Sequence, residues 1–234
     1  MIHAATPLRI RRLQRAELPA DTVALARFLI GKIVVRELPR GRISGRIVET
    51  EAYPTGDPAA HHYIGPTPRN RSMFLRRGHA YVYFTYGNHF MLNISAEVPG
   101  VGGGVLIRAL EPLEGIPQMQ AHRGTSRLLD LTRGPGRLAA AFKIDRTLDG
   151  VDVCAPGALW LGTEAKARPA SLAVPARKRL ASQPPPNPAP PVQRPVKVII
   201  RQSIRIGITR AARRLLRFYE KGNAFVSGPA RLRS

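Results

Sequence analysis

The first half of the chain alternates runs of β-branched and aromatic residues with clusters of turn residues, a pattern typical of strands in a sheet. Ahead of these runs, residues 21–29 predict one short helix that Asp21 or Thr22 caps and Gly31 ends. Strands are predicted at 32–38, 43–53, 79–86, 90–96 and 105–110. Because tight turns join several of these strands, most of this half is predicted to be a curled, mainly antiparallel sheet.

The second half of the chain is more helical. Helices are predicted at 114–122 and at 134–142, where a proline in the first turn costs no hydrogen bond. Residues 151–161 predict a short extended pair, and β character returns over 196–208. Together the elements favour a mixed α/β (α+β) fold.

A proline-rich stretch interrupts this second half. Seven prolines lie between positions 183 and 195, and such a run forms neither a helix nor a central strand. We therefore expect 165–195 to be an exposed, partly disordered insertion. At the other end of the chain, residues 1–20 are expected to form a basic N-terminal segment.

Charge narrows the choice of partner. Lys and Arg number 37 and Asp and Glu number 15, which gives a formal net charge of +22. Such a surface attracts polyanions, because neutralised phosphates release their counterions. Nucleic acid is therefore the expected partner. An anionic membrane surface, the ribosome and an arginine-rich genome are competing explanations of the same charge.

Several common classes of protein are not expected. The lone Cys154 cannot form an intrachain disulfide, so a reducing cytoplasm is the expected setting. No stretch is apolar for long enough to span a bilayer. The arginines near the N-terminus are not followed by the apolar run of a secretory signal.

Two carboxylates stand on one predicted strand. Glu49, Glu51 and Tyr53 alternate along it and so share a face. Buried carboxylates are costly unless another group offsets their charge. A solvated strand face is the ordinary interpretation, but the chain has few acidic residues and these lie beside a tyrosine and a histidine-rich loop.

The residues around this strand suggest further chemistry. His61 and His62 are adjacent, which does not match zinc-ligand spacing, so a hydrogen-bonding or base-contacting loop histidine is favoured over a metal site. Tyr81 and Tyr83 alternate on a strand, a pattern that usually means core packing. Tyr86 is predicted at a hairpin tip, where an aromatic ring could enter a base step, although a turn tyrosine without a role fits equally well.

An arginine lies inside an apolar strand. Arg108 must find a partner there, and pairing with Glu51 would keep that carboxylate ionised. A purely structural salt bridge explains the same pattern, and the sequence does not separate the two.

The sequence motifs around these residues, in their order and spacing, resemble those of the alkyladenine (3-methyladenine) DNA glycosylase family. The motifs that carry the resemblance are RIVETEAY at 46–53, TPRNRSMF at 67–74, YVY at 81–83, YG at 86–87, NIS at 93–95 and LIRALEP at 106–112. Weaker matches follow at 134–138, 205–208 and 216–219. The likeness covers residues 24–227 without the proline-rich insertion.

The resemblance implies a role for each site residue. Glu51 corresponds to the general base that activates water. Arg108 corresponds to the arginine that helps to hold that water, and the backbone carbonyl of Ile206 would be the third contact. Tyr53 corresponds to the residue that stacks on one face of the flipped base.

The remaining roles concern recognition. By the same resemblance, His61 and Tyr83 correspond to the pair on the other face of the base. Asn93 corresponds to the asparagine that disfavours normal guanine by crowding its amino group. Tyr86 corresponds to the side chain that fills the gap left in the duplex.

The function implied is that of a monofunctional DNA glycosylase of base excision repair. Such an enzyme flips alkylated or deaminated purines out of double-stranded DNA and hydrolyses the N-glycosidic bond, which leaves an abasic site. The implied substrates are 3-methyladenine, 7-methylguanine, hypoxanthine and ethenoadenine. Since residues 45–112 contain no lysine, no amine there can form a Schiff base, and we expect hydrolysis only.

The resemblance also implies the organisation of the chain. It predicts a single compact glycosylase domain over 21–228, built around a curved antiparallel sheet, without a metal or a cofactor. We expect a monomer that works in the cytoplasm, associated with the nucleoid.

Near its C-terminal end the chain departs from the family. Residues 209–216 lack the tryptophan that usually precedes the Arg-Phe-Tyr stretch, and the proline-rich insertion directly precedes the Arg-Ile-Gly stretch that contains Ile206. Two alternatives therefore stay open. One is a non-catalytic nucleic-acid-binding protein with a fold like the C-terminal domain of formyltransferases, and the other is a glycosylase-like protein that has lost its activity.

Overall fold

One antiparallel sheet organises the chain in this computed structural model, which describes residues 9–85, 87–165 and 198–232. Its strands within those ranges are β1 (Ile10–Arg12), β2 (Ile33–Leu38), β3 (Gly41–Tyr53), β4 (Ala80–Thr85), β5 (His89–Ser95), β6 (Gly104–Glu114), β7 (Leu159–Glu164), β8 (Ile200–Ser203) and β9 (Arg217–Glu220). They lie in the order β1-β7-β2-β3-β6-β5-β4, and β9 pairs with both β3 and β8. The predicted mixed α/β fold around an antiparallel sheet is confirmed.

Four helices accompany the sheet in the same part of the chain. They are α1 (Thr22–Leu29), α2 (Ile116–Arg123), α3 (Leu129–Thr132) and α4 (Pro135–Ala141). The predicted cap of α1 is confirmed, because the side chain of Asp21 accepts a hydrogen bond of 2.7 Å from the amide of Ala24. No helix among the described residues is both long and apolar enough to cross a membrane.

The helices cover a shared apolar core. Leu25 and Leu29 from α1 and Leu138 from α4 belong to the same buried cluster as Ile47 of β3 and Ile107 of β6. The central strands are therefore held between their neighbours in the sheet and a layer of helices, and they provide a rigid base for the side chains at their ends.

The pairing of β3 with β6 is interrupted where polar residues occur. The register runs from Ile47 opposite Leu110, to Glu49 opposite Ala109, to Thr50 opposite Ile107. Val48 and Arg108 are thus extra residues on their strands. Bulges of this kind bend a strand and redirect a side chain, and they are frequent beside active sites.

Two sequence predictions need correction. Residues 151–161 contain one strand rather than a pair of strands. Strand β7 begins at Leu159, whereas Asp152 forms only an isolated bridge with His79, and its side chain accepts a hydrogen bond from the amide of Cys154 that makes a turn. The β character expected over 196–208 is limited, in the described residues, to β8.

The structure describes only part of the predicted N-terminal segment and of the predicted proline-rich insertion. The described portion of residues 1–20 belongs to the sheet and the core, because β1 pairs with β7 and both Leu13 and Leu18 are buried. Apart from Ala165, the predicted proline-rich insertion lies outside the described residues.

The fully buried Phe142, directly after α4, tests this core. We expect Phe142→Ala to lower the free energy of unfolding by about 3–5 kcal/mol, because it removes apolar contacts and leaves a cavity. Urea denaturation followed by circular dichroism measures the change. Leu128→Ala, at a side chain that is 45% exposed, is the control and should change the free energy by less than about 0.5 kcal/mol. Equal effects would contradict the packing described.

Candidate active site

A cavity of about 340 Å³ opens beside the central strands. Its volume lies within the range of small-molecule sites. Every predicted site residue that the structure describes lines it, namely Glu51, Tyr53, His61, Tyr83, Asn93, Arg108 and Ile206. Tyr86, predicted as the wedge, lies outside the described residues. The structure therefore brings together residues that are up to 155 positions apart in the chain.

Glu51 lies at the cavity with its carboxylate held by two hydrogen bonds and an ion pair. Glu51 is fully buried by its accessible surface, yet it borders the cavity. Its Oε1 accepts a hydrogen bond of 2.7 Å from the amide of Ile206 and lies 3.1 Å from Nη1 of Arg108. Its Oε2 accepts a hydrogen bond of 2.9 Å from the hydroxyl of Tyr53. The carboxylate is thus fixed in direction.

The contact of Ile206 with Glu51 uses the amide. The resemblance implied a role for the backbone carbonyl of Ile206 in holding water, and that role stays a prediction. The donation from its N–H to Glu51 is a contact that the sequence analysis missed. It ties the segment after the insertion directly to the central strand.

Arg108 joins two carboxylates. Its Nε donates a hydrogen bond of 2.8 Å to Oε1 of Glu49, while its Nη1 faces Glu51. Burial alone would lower the pKa of Arg108, but Glu51 and Glu49 outweigh burial and raise it. The guanidinium therefore stays charged beside the cavity, as the predicted pairing with Glu51 requires.

A second arginine lies behind this pair. Arg217 is fully buried, and its Nε donates a hydrogen bond of 2.6 Å to the same Oε1 of Glu49. Burial alone would raise the pKa of Glu49, but Arg108 and Arg217 outweigh burial and lower it. Glu49 is therefore ionised in the protein interior.

Aromatic rings form one wall of the cavity. The rings of Tyr81 and Tyr83 stack with centroids 5.3 Å apart, and His61 meets the edge of Tyr83 with centroids 4.5 Å apart. Nδ1 of His61 lies 2.9 Å from the hydroxyl of Tyr81. The side-chain amide of Asn70 donates a hydrogen bond to the backbone carbonyl of His61 and so fixes the loop that carries this histidine.

Asn93 stands opposite Tyr81 in the β4–β5 pair and also lines the cavity. It is 4% exposed, and its side-chain amide donates a hydrogen bond of 3.2 Å to the carbonyl of Tyr81. Leu106 stands opposite it in the neighbouring strand and also lines the cavity. The asparagine is thereby held in a fixed orientation beside the cavity.

Tyr53 also lines the cavity. Burial raises the pKa of the Tyr53 hydroxyl, and the negative charge of Glu51 raises it further, so the hydroxyl remains a donor at neutral pH. The guanidinium carbon of Arg205 lies 4.6 Å from the centre of the Tyr53 ring, a cation–π distance. Arg205 itself is not among the residues that line the cavity.

Sequence analysis missed the ion pair that Arg205 forms beside Tyr53. Both side chains of the Arg205–Asp57 pair are fully buried. Arg205 also donates to the carbonyl of Ala52, and Asp57 accepts from the amide of Ala59, which lines the cavity. The pair thus joins the strand end, the following loop and the segment before Ile206. No sequence signal identifies it, since an Arg and an Asp 148 positions apart are ordinary surface residues by default.

A metal site would need several His, Cys, Asp or Glu side chains close together. Among residues 9–85, 87–165 and 198–232 there is no group of three or more His, Cys, Asp or Glu side chains placed to hold an ion. His62 instead packs against Phe74, with Nε2 lying 3.1 Å from the carbonyl of Pro54.

Comparison with known proteins gives this arrangement a context. A model of the methylpurine-DNA glycosylase (MPG) family matches residues 16–183. A protein of Mesorhizobium japonicum is 57% identical over 220 residues, which cover 94% of this chain and 92% of that protein. A protein of Paraburkholderia phytofirmans is 48% identical over 225 residues, which cover 96% and 92%. Both are provisionally named 3-methyladenine DNA glycosylases.

These matches first define a class, the DNA glycosylases, which are enzymes that hydrolyse the N-glycosidic bond between a base and its sugar. More particularly, the chain belongs to the methylpurine-DNA glycosylase (MPG) family. The resemblance seen in the sequence is thereby confirmed, and the enzyme is favoured over the alternative of a non-catalytic binding protein.

The protonation of His61 can be tested directly. His61 is exposed as a whole residue, but its ring packs against Tyr83, and this partial desolvation lowers the pKa of His61. The positive charge of Arg69 and the neighbouring His62 lower the pKa further. We expect an NMR titration of His61 to give a pKa below the ordinary value of about 6.5. Arg69→Gln should raise this pKa, whereas Arg127→Gln, at a side chain that is 83% exposed and does not line the cavity, should not. A pKa at or above about 6.5 would contradict the described packing.

Proposed function

We propose that this protein is a monofunctional glycosylase that flips alkylated or deaminated purines out of double-stranded DNA and hydrolyses their N-glycosidic bond, with Glu51 as general base. The observation that carries the proposal is the Glu51 carboxylate, which borders the cavity and is held by Arg108, Tyr53 and the amide of Ile206. The names of the relatives favour 3-methyladenine as one substrate.

The hydrogen bonds of Glu51 leave room for a water molecule. An ionised carboxylate has about four acceptor sites. Oε1 accepts from the amide of Ile206 and faces Arg108, while Oε2 accepts only from Tyr53 among the described residues. The remaining site on Oε2 can take a proton from a water that attacks the sugar carbon. The same negative charge stabilises the oxocarbenium-like transition state.

The walls of the cavity suit a flat base. Tyr53 would stack on one face of the purine, and His61 with Tyr83 on the other. Electron-rich rings favour the cationic purines 3-methyladenine and 7-methylguanine through cation–π attraction. Hypoxanthine and ethenoadenine are neutral and need protonation as they leave. Asn93, held by its bond to Tyr81, would crowd the amino group of normal guanine.

The approach to DNA completes the proposal. Arg69 and Arg71 are exposed beside the cavity loop and can contact phosphates, in keeping with the net charge of +22. Tyr86 would enter the gap that the flipped nucleotide leaves, and this offsets part of the unstacking cost of a few kcal/mol. We propose that the protein acts as a monomer, in the cytoplasm and associated with the nucleoid.

Glu51→Gln tests the general base. We expect single-turnover release of hypoxanthine and of 3-methyladenine to fall by about 10²- to 10⁴-fold, because an amide cannot take the proton from water. Binding to DNA with an abasic site should persist. Glu111→Gln, the same change at a partly exposed residue outside the cavity lining, is the matched control and should release the base at the rate of the unchanged enzyme. Release by Glu51→Gln at that rate would refute the assignment.

The absence of lyase chemistry makes a separate prediction. A lyase needs an amine that forms a Schiff base with the sugar. No lysine is among the described residues that line the cavity. Incubation with lesion-bearing DNA and borohydride should therefore trap no covalent protein–DNA adduct. A stable adduct would show that the enzyme is bifunctional.

A further inference from the structure

Glu49 stands out because the proposed mechanism does not use it, although it is a fully buried carboxylate in contact with Arg108. We propose that Glu49 is a positioning residue for glycosidic bond hydrolysis, which holds the Arg108 guanidinium against Glu51 from outside the cavity. This inference rests on the proposed role of Glu51 and extends the site to a second layer of residues.

The contacts of Arg108 show how the positioning works. Its Nε donates to Glu49 at 2.8 Å, its Nη2 donates to the hydroxyl of Ser227 at 3.4 Å, and its Nη1 lies 3.1 Å from Glu51. The guanidinium is a rigid planar fork, so fixing Nε and Nη2 also fixes the direction of Nη1. Neither Glu49 nor Ser227 lines the cavity. The part of Arg108 that faces the site is therefore set by residues that do not touch it.

Glu49 is itself held from the C-terminal side. Besides Arg108, its carboxylate accepts a hydrogen bond of 2.6 Å from Nε of Arg217 and one of 2.6 Å from the amide of Ser227. Arg217 in turn donates to the carbonyls of Ser227 and Leu232. The stretch from β9 to the 3-10 helix at Ala230–Leu232 thus braces Glu49, although it lies far from β3 in the sequence.

Charge gives Glu49 a second effect on the site. Two carboxylates and two guanidinium groups balance within this buried cluster. Without the charge of Glu49, Arg217 would lose its carboxylate partner and Arg108 would keep only Glu51 among the described residues. The excess positive charge would oppose the transfer of a proton to Glu51 and the build-up of positive charge on the sugar.

A purely structural role is a poor explanation of this arrangement. Replacing a buried ion pair by apolar side chains is often neutral or stabilising, so stability alone does not require Glu49 and Arg217. Their connection with the cavity runs through Arg108. A role in positioning should therefore appear in catalysis and depend on Arg108, whereas a role in stability should not.

The test is Glu49→Gln in the full chain, measured by single-turnover release of hypoxanthine from duplex DNA. We expect the rate to fall by up to about 10²-fold, the loss that a small misplacement of a catalytic group produces, while the Kd for DNA with an abasic site changes less than about twofold. In an Arg108→Gln background, Glu49→Gln should cause no further loss, since both changes remove one interaction. A full additional loss would overturn the proposal.

Two further variants separate geometry from charge. Glu49→Asp keeps the charge but shortens the reach to Arg108, so it should keep the acidic limb of the pH–rate profile in place while the rate falls. Glu49→Gln should move that limb to lower pH, because the site gains positive charge. Identical pH–rate profiles for the two variants would contradict the electrostatic part of the proposal.

If Glu49→Gln does not fold, the paired variant Glu49→Gln with Arg217→Met removes one charge of each sign and keeps the balance. We expect this variant also to be slow, because Nε of Arg108 has lost its charged anchor. A rate equal to that of the unchanged enzyme would overturn the proposal. Asp152→Asn, which breaks the Arg15–Asp152 pair outside the cavity lining, is the control for loss of an ion pair and should leave the rate unchanged.

The outcomes also separate this inference from the proposed function. If Glu51→Gln is fully active, the general base is wrong and Glu49 has nothing to position. If Glu51→Gln is inactive while Glu49→Gln is as fast as the unchanged enzyme, the proposed function stands and the role of Glu49 is refuted.

Discussion

The buried ion pairs among Glu49, Glu51, Arg108 and Arg217 are the constraint on which the rest of this structure depends. An unpaired charge in the interior would cost several kcal/mol, so each of these groups must meet its partners. Meeting them requires β3, β6 and β9 to lie side by side with one register. The bulge at Arg108 in β6 helps to meet this requirement, because it lets the guanidinium reach two carboxylates of the facing strand.

The C-terminal part of the chain completes a site that the first half begins. Strands β3 to β6 supply the carboxylate, the arginine, the asparagine and the tyrosines. The described residues from 198 onwards then add the amide of Ile206 to Glu51, Arg205 to Tyr53, and Arg217 to Glu49. Each of these contacts reaches a residue of β3. The departure from the family pattern at 209–216 therefore leaves the contacts that matter for the cavity in place.

Much of the fold could be predicted from local patterns in the sequence. The Asp cap predicted the start of α1, and alternation predicted the strands, because both depend on neighbouring residues. The pairing of Arg108 with Glu51 was foreseeable as well, since an arginine in an apolar strand needs a carboxylate. The Arg205–Asp57 and Arg217–Glu49 pairs were not foreseeable. They join distant residues of common types, and only the register of the folded sheet decides which of them meet.

The balance of charge in the cavity bears on the choice of substrate. Glu51 and Arg108 are the only charged side chains among the described residues that line it, and they offset each other. The lowered pKa of His61 keeps a third charge from appearing on the aromatic wall at neutral pH. A cationic purine would therefore meet neutral rings rather than a repelling imidazolium. As the bond to the sugar breaks, the positive charge moves from the base towards the sugar, and a fixed carboxylate nearby favours that movement. In the proposed reaction, a fixed direction of the carboxylate and local neutrality are thus two requirements, and Glu49 with Arg217 would serve both by holding Arg108 and balancing its charge.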